Sequence, residues 1–573
     1  MYKSLLPYFF ASAVLLASCT TKASQEMDEQ KPRTKYVSPA TGKPNIIWIS
    51  CEDISSRLGC YDDPVAQTPN IDRLCSEGAQ YTNVFTVSPV CAPNRSAIIT
   101  GMYHTTIGTH HMRTSHKGRT GELPTPYSTV PPHYVKAFPE YLRSQGYYCT
   151  NNVKTDYQFS GFGDVPVSIW DESSTTAHYK NRKDKDQPFF AVFNYTMTHE
   201  SKTWQEPEMT DPSKVTVPPY YPDTEPVRRS IARLYDQIAK LDTVVGKHLQ
   251  ELEEEGLAEN TIVFFWSDHG DGLPRGKRWP YDSGTKVPLI VRWPGVIEPG
   301  TVIDDLISSI DLGPTVLSLA NVPVPAHMQG KAFLGNQTAE PWEYVFSARD
   351  RFDESYDMVR SVRDKKWRYM RNYYPNEPYV IWVPYRNQSP IMQELLRLKA
   401  EDNLNEAQEL WFRNTRPPEE LYDTENDPYN IHNLADDPEY QDVLKKMRGV
   451  LDEWRIESRD MGDISEYQMK EIMWPGGEQP VTSVPHFVPN TKGNRNADMA
   501  DEGGTLTAPA LMSLYCATQG ASMVYTLDEG DDPEWKIYNG PFMLKSGSNT
   551  IRAKAIRYGF KHSDEVEATF SVE

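Results

Sequence analysis

The chain has 573 residues, more than a single hydrophobic core organises, so we expect at least two domains. Hydrophobic residues make up 38% of it and charged residues 24%, which excludes a disordered chain. The 79 acidic and 59 basic residues give a net charge of −20, which excludes nonspecific binding to nucleic acid. An anionic substrate therefore needs positive charge concentrated at its own site.

The first 18 residues are typical of an export signal. Lys3 precedes an apolar stretch, Leu5 to Ala17, that is too short to span a bilayer. The end of this region, Leu-Ala-Ser-Cys, resembles the lipobox of bacterial lipoproteins, which implies cleavage before Cys19 and lipidation of Cys19. We therefore expect a signal peptide over 1–18, a flexible tether over 19–43, and an exported, lipid-anchored protein in the periplasm or on the outer membrane surface. An ordinary secretory signal is the alternative.

Three later segments each consist of an apolar run followed by acidic or histidine residues. They cover 45–53, 187–200 and 260–272, and apolar residues at helical spacing lie between the second and third and stop at Gly256. Strands buried in a parallel sheet have this continuous apolar character, and ligands bind at the carboxyl edge of such sheets. The pattern predicts an α/β fold with its site at that edge.

The composition changes twice beyond this region. Residues 340–475 combine Tyr- and Arg-rich alternating segments with one helical pattern, which predicts a smaller α+β subdomain packed on the α/β domain over 44–339. Residues 476–505 are rich in Gly, Pro and Asn and predict a linker. Residues 506–573 alternate as short strands between turn signals, which predicts an appended β-sandwich.

The segment Cys91-Ala92-Pro93-Asn94-Arg95 is the most informative in the chain, because an apolar stretch suited to a helix follows it. A cysteine at a helix N-terminus with an arginine one turn later is expected to have a lowered thiol pKa beside an anion cradle. A buried structural cysteine is the other interpretation.

This segment resembles the Cys-x-Pro-x-Arg signature of the formylglycine-dependent sulfatases, in which serine is more usual at the position of Asn94. The resemblance implies an alkaline phosphatase-like mixed sheet sandwiched by helices. It also implies that a sulfatase-maturing enzyme oxidises Cys91 to formylglycine, whose hydrate attacks sulfur. Arg95 would then stabilise the nucleophile and the sulfate oxygens.

Two strand ends resemble the metal-binding segments of that family. Glu52 and Asp53 stand where the family has paired aspartates, and Asp268 and His269 match its second metal segment. The resemblance implies a calcium ion held by these four residues together with the modified Cys91. Carboxylates suit such a hard cation, whereas a histidine ligand is softer than calcium prefers.

Three further positions match the family in chain order, and a fourth departs from it. Lys154 falls at its sulfate-binding lysine, although Asp156 replaces the histidine that usually follows and is assigned to substrate binding. His199 matches the histidine proposed as the acid for the leaving group. Lys277 matches a catalytic lysine, with Lys286 as the lower-ranked choice.

The stretch 109–119 concentrates His110, His111, Arg113 and Lys117. We expect it to recognise a neighbouring carboxylate or sulfate of the substrate, and a basic surface loop without a ligand is the alternative.

The segment 420–438 is similar to the C-terminal subdomain of sulfatases, and the layout is closest to the heparan N-sulfatase (sulfamidase) branch. The terminal module resembles the β-sandwich of chitobiases, and Cys516 in it is expected to be buried. These resemblances predict a calcium-dependent sulfatase that removes a sulfate ester or sulfamate from a sulfated oligosaccharide or polysaccharide. A phosphomonoester or phosphonate hydrolase of the same superfamily and a catalytically silent glycan-binding lipoprotein are the alternatives.

Overall fold

The computed structural model describes residues 42–160, 165–491, 494, 496–531 and 533–573. The expected signal peptide, the lipidation site Cys19 and nearly all of the expected tether lie outside these residues. In the described ranges, no helix combines the length and the hydrophobicity needed to cross a membrane.

A central sheet of eight strands organises the first half of the chain. Its strands stand in the order β4-β3-β5-β1-β6-β7-β2-β8, and β1 pairs in parallel with both β5 and β6, whereas β7 is antiparallel to β6 and β2. The predicted mixed α/β sheet is therefore confirmed. The strands are β1 Asn45–Cys51, β2 Ala79–Phe85, β3 Tyr148–Asn152, β4 Glu172–Ser173, β5 Phe189–Tyr195, β6 Thr261–Ser267, β7 Leu289–Arg292 and β8 Thr301–Ser308.

Helices cover both faces of this sheet because successive side chains of a strand point to opposite sides. Ile47 and Ile49 belong to one core, together with the apolar face of the long helix α5, whereas Ile46 and Trp48 belong to the other core, with α7. Full burial of one such side chain stabilises the fold by about 1.5–3 kcal/mol. The helices are α1 Pro69–Ser76, α2 Cys91–Thr100, α3 Phe138–Ser144, α4 Lys202–Gln205, α5 Glu225–Glu254, α6 Asp282–Thr285, α7 Leu312–Leu319, α8 Pro390–Ala400, α9 Glu406–Glu409, α10 Gln441–Glu457 and α11 Glu466–Met473.

The register of the three central strands brings their polar ends together. Cys51, the last residue of β1, pairs with Ser267 at the end of β6 and with Tyr195 at the end of β5. The residues that follow each strand therefore leave the sheet at one edge, as the sequence predicts.

A second sheet, with strand order β12-β11-β10-β9, is fully antiparallel and packs with α10. Most of its arginines are buried and paired: Arg360 lies between Asp350 and Asp460, and Arg368 reaches Asp282 of the first domain at 2.6 Å. This explains how an Arg-rich segment becomes a subdomain core. Its strands are β9 Val345–Arg349, β10 Val359–Arg363, β11 Trp367–Asn372 and β12 Glu419–Asp423.

The C-terminal residues form two further sheets, ordered β13-β15-β18 and β14-β20-β19-β16-β17. Strand β13 pairs with β15, so the sandwich begins inside the range 476–505 that the composition predicts as a linker. Cys516, expected to be buried, is half-buried, and its thiol lies 3.3 Å from the Ser483 carbonyl oxygen. The strands are β13 His486–Asn490, β14 Gly504–Leu506, β15 Leu511–Tyr515, β16 Ser522–Thr526, β17 Lys536–Ile537, β18 Phe542–Met543, β19 Gly547–Ile556 and β20 Val566–Val572.

Candidate active site

Cys91 is the first residue of α2 and lies at the carboxyl edge of the central sheet. Pro93 fits this first turn because the backbone N–H that it lacks has no partner within a helix there. The helix ends at Gly101, which adopts the left-handed conformation (φ 64°). The Cys91 side chain is fully buried in an apolar cluster that includes Met112 and Phe352.

The thiol of Cys91 does not have the lowered pKa that its helix position predicts. Burial and the charge of Asp156 raise the pKa of the Cys91 thiol to about 12, although Lys277 and Arg113 act in the opposite direction. The prediction is wrong because desolvation of a fully buried thiolate outweighs the helix dipole and the nearby cations. Unmodified Cys91 is consequently a thiol, and a poor nucleophile, at neutral pH.

Asp53, Asp268 and His269 form a compact group of possible metal ligands, with one atom from each within 4.8 Å of the others. The Nε2 atom of His269 lies 3.0 Å from Asp53 Oδ1 and 3.7 Å from Asp268 Oδ1. Its Nδ1 lies 3.0 Å from the Gly270 carbonyl oxygen, so Nδ1 carries the proton and Nε2 presents a lone pair. Nε2 is buried and has no hydrogen-bond partner among the described residues. Two carboxylates facing an unprotonated, unpartnered imidazole nitrogen fit a metal cation.

Glu52 does not join this group. Its carboxylate pairs with the ammonium group of Lys154, which also lies 3.2 Å from Asp156. The expected set of ligands thus separates into three residues around one point and a Glu52–Lys154 pair beside them.

A second acidic group, Asp53, His199 and Glu200, already encloses a cation from the protein. The Lys277 ammonium lies 2.9 Å from Asp53 and 3.2 Å from Glu200, and Arg278 binds both oxygens of Glu200 at 2.9 and 3.0 Å. Burial by itself raises the pKa of the Asp53 carboxyl, but the positive charges around it, that of Lys277 first, hold that pKa well below its usual range.

Glu200 and Arg278 were not predicted as site residues. Each stands next to a predicted one in the sequence, His199 and Lys277, which is the only signal that the sequence contains. Lys286, the competing lysine, lies beside Asp282, so the structure favours Lys277.

His199 presents a neutral imidazole to the site. Burial and the charge of Lys277 lower the pKa of His199 to about 4. Nδ1 accepts a hydrogen bond from the backbone N–H of Ser201, so the ring proton lies on Nε2, which can donate a hydrogen bond.

Arg95 connects the nucleophile helix to the metal group. Its Nε donates to Asp268 Oδ2 at 3.0 Å and its Nη1 to Asn194 Oδ1 at 2.8 Å, while Nη2 is buried without a partner among the described residues. Asn194 also donates to the Lys154 carbonyl oxygen at 3.1 Å, which holds these two cations beside each other. A buried, unpartnered guanidinium N–H is a donor available to an anion.

Asn94, the departure from the sulfatase signature, supports this arrangement. Its amide nitrogen donates to the backbone carbonyl of Asp268, and its Oδ1 accepts from Ser309 Oγ at 2.7 Å. The substitution therefore fastens the nucleophile helix to the strand end that carries Asp268.

The structure separates the predicted substrate-binding residues of the stretch 109–119. His110 and His111 are buried (0% and 6% exposed), and backbone hydrogen bonds join this stretch to Arg351 of the second subdomain. Their burial contradicts the alternative of a surface loop for these two histidines, and their contact with substrate stays a prediction. Arg113 is half-buried, and its charge acts on Cys91 and Asp156.

Comparison with known proteins places this chain among sulfatases by sequence and by fold. A family model described as Sulfatase matches residues 44–322, and one described as N-sulphoglucosamine sulphohydrolase, C-terminal, matches 274–409. An ulvan-active sulfatase of Formosa agariphila is 40% identical and covers 97% of this chain and 96% of its own length. Human N-sulphoglucosamine sulphohydrolase is 28% identical and covers 73% of this chain and 90% of its own length. A solved structure in complex with its substrate, D-glucosamine-2-N,6-O-disulfate, shares the fold at 17% identity, with a TM-score of 0.51 over 74% of this chain and 100% of its own.

The raised pKa of Cys91 predicts its chemical behaviour in folded protein that keeps the unmodified cysteine. At pH 8 the thiolate fraction of a group with a pKa of about 12 is about one in ten thousand. We therefore expect iodoacetamide to label half-buried Cys516 much faster than Cys91, as measured by peptide mass spectrometry over time, and to label both after denaturation. Equal labelling rates in the folded protein would contradict the burial argument.

Proposed function

Because this chain belongs to the sulfatase family, we propose that it hydrolyses sulfate esters of an ulvan-type sulfated polysaccharide with a formylglycine made from Cys91. The observation that carries the proposal is the position of Cys91 next to a group of three possible metal ligands: the charges of Lys277 and Arg95 act on Cys91, and Lys154 pairs with Asp156, whose charge also acts on it. Sulfate esters are favoured over sulfamates because the ulvan-active relative is more similar to this chain than the sulfamate-cleaving one.

The cations match the charge that develops when a sulfate ester is hydrolysed. The unpartnered Nη2 of Arg95 and the ammonium groups of Lys154 and Lys277 would bind the nonbridging sulfate oxygens in a buried, weakly screened site. The neutral His199 ring would donate a hydrogen bond from its Nε2–H to the leaving oxygen of the sugar and so stabilise the charge that develops there. These local charges supply the attraction for an anion that the net charge of −20 opposes.

Formylglycine would supply an oxygen nucleophile through its hydrate. The fully buried Cys91 thiol has too high a pKa to serve in that role itself. Since the folded chain buries this side chain completely, a sulfatase-maturing enzyme would have to act before the surrounding cluster closes.

The arrangement favours sulfate over phosphate or phosphonate. A two-metal phosphoryl-transfer site requires a second ion. The only other ligand group in the described residues contains Asp53, His199 and Glu200, and Lys277 and Arg278 already neutralise it. A silent binding protein is disfavoured because such a protein has no need for a buried set of converging cations and metal ligands.

Replacing Cys91 tests the proposed chemistry directly. We expect Cys91→Ala to reduce sulfate release from ulvan by about 10⁴-fold or more, because the nucleophile is removed, whereas Cys516→Ala keeps full activity. The measurement is free sulfate by ion chromatography, with the mass of the Cys91 peptide recorded for the same samples. Undiminished release by the Cys91→Ala protein refutes the formylglycine mechanism.

We further propose that Asp53, Asp268 and His269 hold calcium. The two carboxylates suit a hard cation, and the lone pair of His269 Nε2 completes three protein donors around one point. Bound calcium would neutralise the oxygens of the nucleophile and of the sulfate.

Calcium titration of chelator-treated protein checks this assignment. Calcium at 100 times its Kd should stabilise the folded chain by about 2.7 kcal/mol and raise its unfolding midpoint. His269→Ala should weaken calcium binding, measured by calorimetry, by about 10–100-fold or more. His248→Ala removes a buried imidazole on α5 that hydrogen-bonds Tyr195 of β5, and it serves as the matched control. Equal calcium affinity in both variants would contradict the assignment.

We also propose that Arg113 binds a second anionic group on the substrate, a carboxylate or another sulfate. Arg113 follows Met112, which packs against Cys91, and its backbone has a positive φ of 57°, which is unfavourable for a residue with a side chain. Its guanidinium has no hydrogen bond or ion pair within the described ranges, although the charges of Asp353 and Asp156 act on it. A strained, half-buried and unpaired cation beside the nucleophile fits an anionic ligand.

Arg113→Gln should weaken binding of the second anionic group without affecting the reaction at the sulfate that is removed. Loss of one charge-assisted hydrogen bond costs about 1.5–3 kcal/mol, so we expect KM to rise about 10–100-fold for saccharides that carry a second anion. Turnover of 4-nitrophenyl sulfate, which has none, should stay within about threefold. Arg119→Gln, in the same stretch but exposed and paired with Glu354 at 3.6 Å, is the control. Saccharides with either a carboxylate or a sulfate as the second anion identify the group, and equal loss on all substrates would contradict the proposal.

A further inference from the structure

The C-terminal sandwich contacts the same segment that carries Lys154 and Asp156. The ring of Tyr558 stacks on Phe159 with 4.7 Å between centroids and an angle of 23°. Phe159 in turn stacks on Tyr157 at 5.8 Å and 18°. The backbone N–H of Gly559 donates to the Phe159 carbonyl oxygen at 2.8 Å, so ring and backbone contacts coincide at one residue.

A buried polar network secures this contact. The Tyr558 hydroxyl donates to Glu140 at 2.5 Å and accepts from the Ala137 backbone N–H at 3.2 Å. Ser522 of the sandwich donates to the other Glu140 oxygen at 2.6 Å. Because Glu140 is only 6% exposed, two sandwich hydroxyls replace the water that its carboxylate needs. The sandwich is thereby bound to the catalytic domain at a fixed place.

The segment that Tyr558 contacts needs outside support. Residues 153–160 lie in neither a helix nor a strand. Asp156 adopts φ 53°, a left-handed conformation that costs a residue other than glycine about 1 kcal/mol or more and persists only where neighbours impose it. Held on one side by Asn194 and the nucleophile helix, this segment is held on the other by the sandwich.

We infer that Tyr558 is a positioning residue, through which the C-terminal β-sandwich holds Lys154 and Asp156 in their places in the active site. This inference rests on the proposed sulfatase function. The Tyr558–Phe159–Tyr157 stack ends one residue from Asp156, so movement of the stack displaces Asp156, whose charge acts on Cys91, together with the Lys154 ammonium that is paired with it. A displacement of about 1 Å in a catalytic group costs about 100-fold in rate.

Tyr558→Leu and Tyr558→Phe test the inference in the full chain. Leucine removes the stack, whereas phenylalanine keeps the ring and removes only the hydroxyl. With 4-nitrophenyl sulfate, we expect kcat/KM to fall about 10–100-fold for Tyr558→Leu and to stay within about threefold for Tyr558→Phe. The small substrate separates positioning from glycan binding, since a sandwich that served only to bind polysaccharide would affect polysaccharide turnover alone.

Tyr525→Leu is the matched control. Its ring stacks on Phe542 inside the sandwich at 3.9 Å, so the variant weakens the module without removing the contact to the catalytic domain. Its unfolding midpoint should fall while kcat/KM at 25 °C is retained. Equal losses in the Tyr525→Leu and Tyr558→Leu proteins overturn the inference, as does full activity of Tyr558→Leu.

Phe159→Leu removes the same ring stack by changing the residue on the catalytic domain. This variant is used in place of Tyr558→Leu if the Tyr558→Leu protein does not fold. It should reproduce the loss, and the double variant should lose no more than either single one, because all three remove one contact. Additive losses overturn the inference. If the unaltered enzyme releases no sulfate from any substrate, the proposed function fails, a result distinct from an active enzyme that tolerates Tyr558→Leu.

Discussion

Two buried carboxylates placed side by side by parallel strand pairing are the constraint on which the site depends. Asp53 and Asp268 follow β1 and β6, whose register leaves them no freedom to separate, and both are fully buried. Such a pair is unstable without positive charge. Lys277 compensates Asp53, Arg95 compensates Asp268, and the His269 lone pair faces the gap that a metal ion would fill. The same compensation leaves the Lys277 and Arg95 charges close enough to act on Cys91.

Further ion pairs extend from these carboxylates and connect the first domain to the second subdomain. Glu200 receives Lys277 and Arg278, and Arg278 also binds Asp353 of the second subdomain at 2.9 Å. The charge network therefore crosses the boundary that the composition marks near residue 340. The second subdomain thus supplies Asp353 to Arg278, and two of its buried arginines, Arg363 and Arg368, bind Asp282 of the first domain in return.

Sequence patterns identify the site residues that local structure positions, and they miss the properties that depend on contacts between distant parts of the chain. Strand ends that carry Asp53, Asp268 and His199 are visible because apolar runs stop there, and the structure gathers them at one edge. The Glu200–Arg278 pair joins residues 78 positions apart, so no local pattern reveals it. Similarly, the burial that raises the Cys91 pKa depends in part on Phe352, and Arg351 covers the stretch that carries His110; both belong to the second subdomain, so helix position or local charge does not predict their contacts.

The sandwich illustrates the same limit at the level of domains. The alternation of apolar and polar residues predicts the strands of the sandwich. It does not predict that Glu140 on α3 is buried, because the Tyr558 and Ser522 hydroxyls that cover this carboxylate come from the sandwich. If the module detached, the Ala137 N–H would lose its hydrogen-bond partner and the ring of Phe159 would become exposed to water. Water would also have to replace the two hydroxyls that donate to the Glu140 carboxylate. A buried group that loses its partner costs about 1–3 kcal/mol, and several such groups act together here. The module is consequently a part of the folded enzyme, bound beside the active-site segment, rather than a binding domain on a free linker.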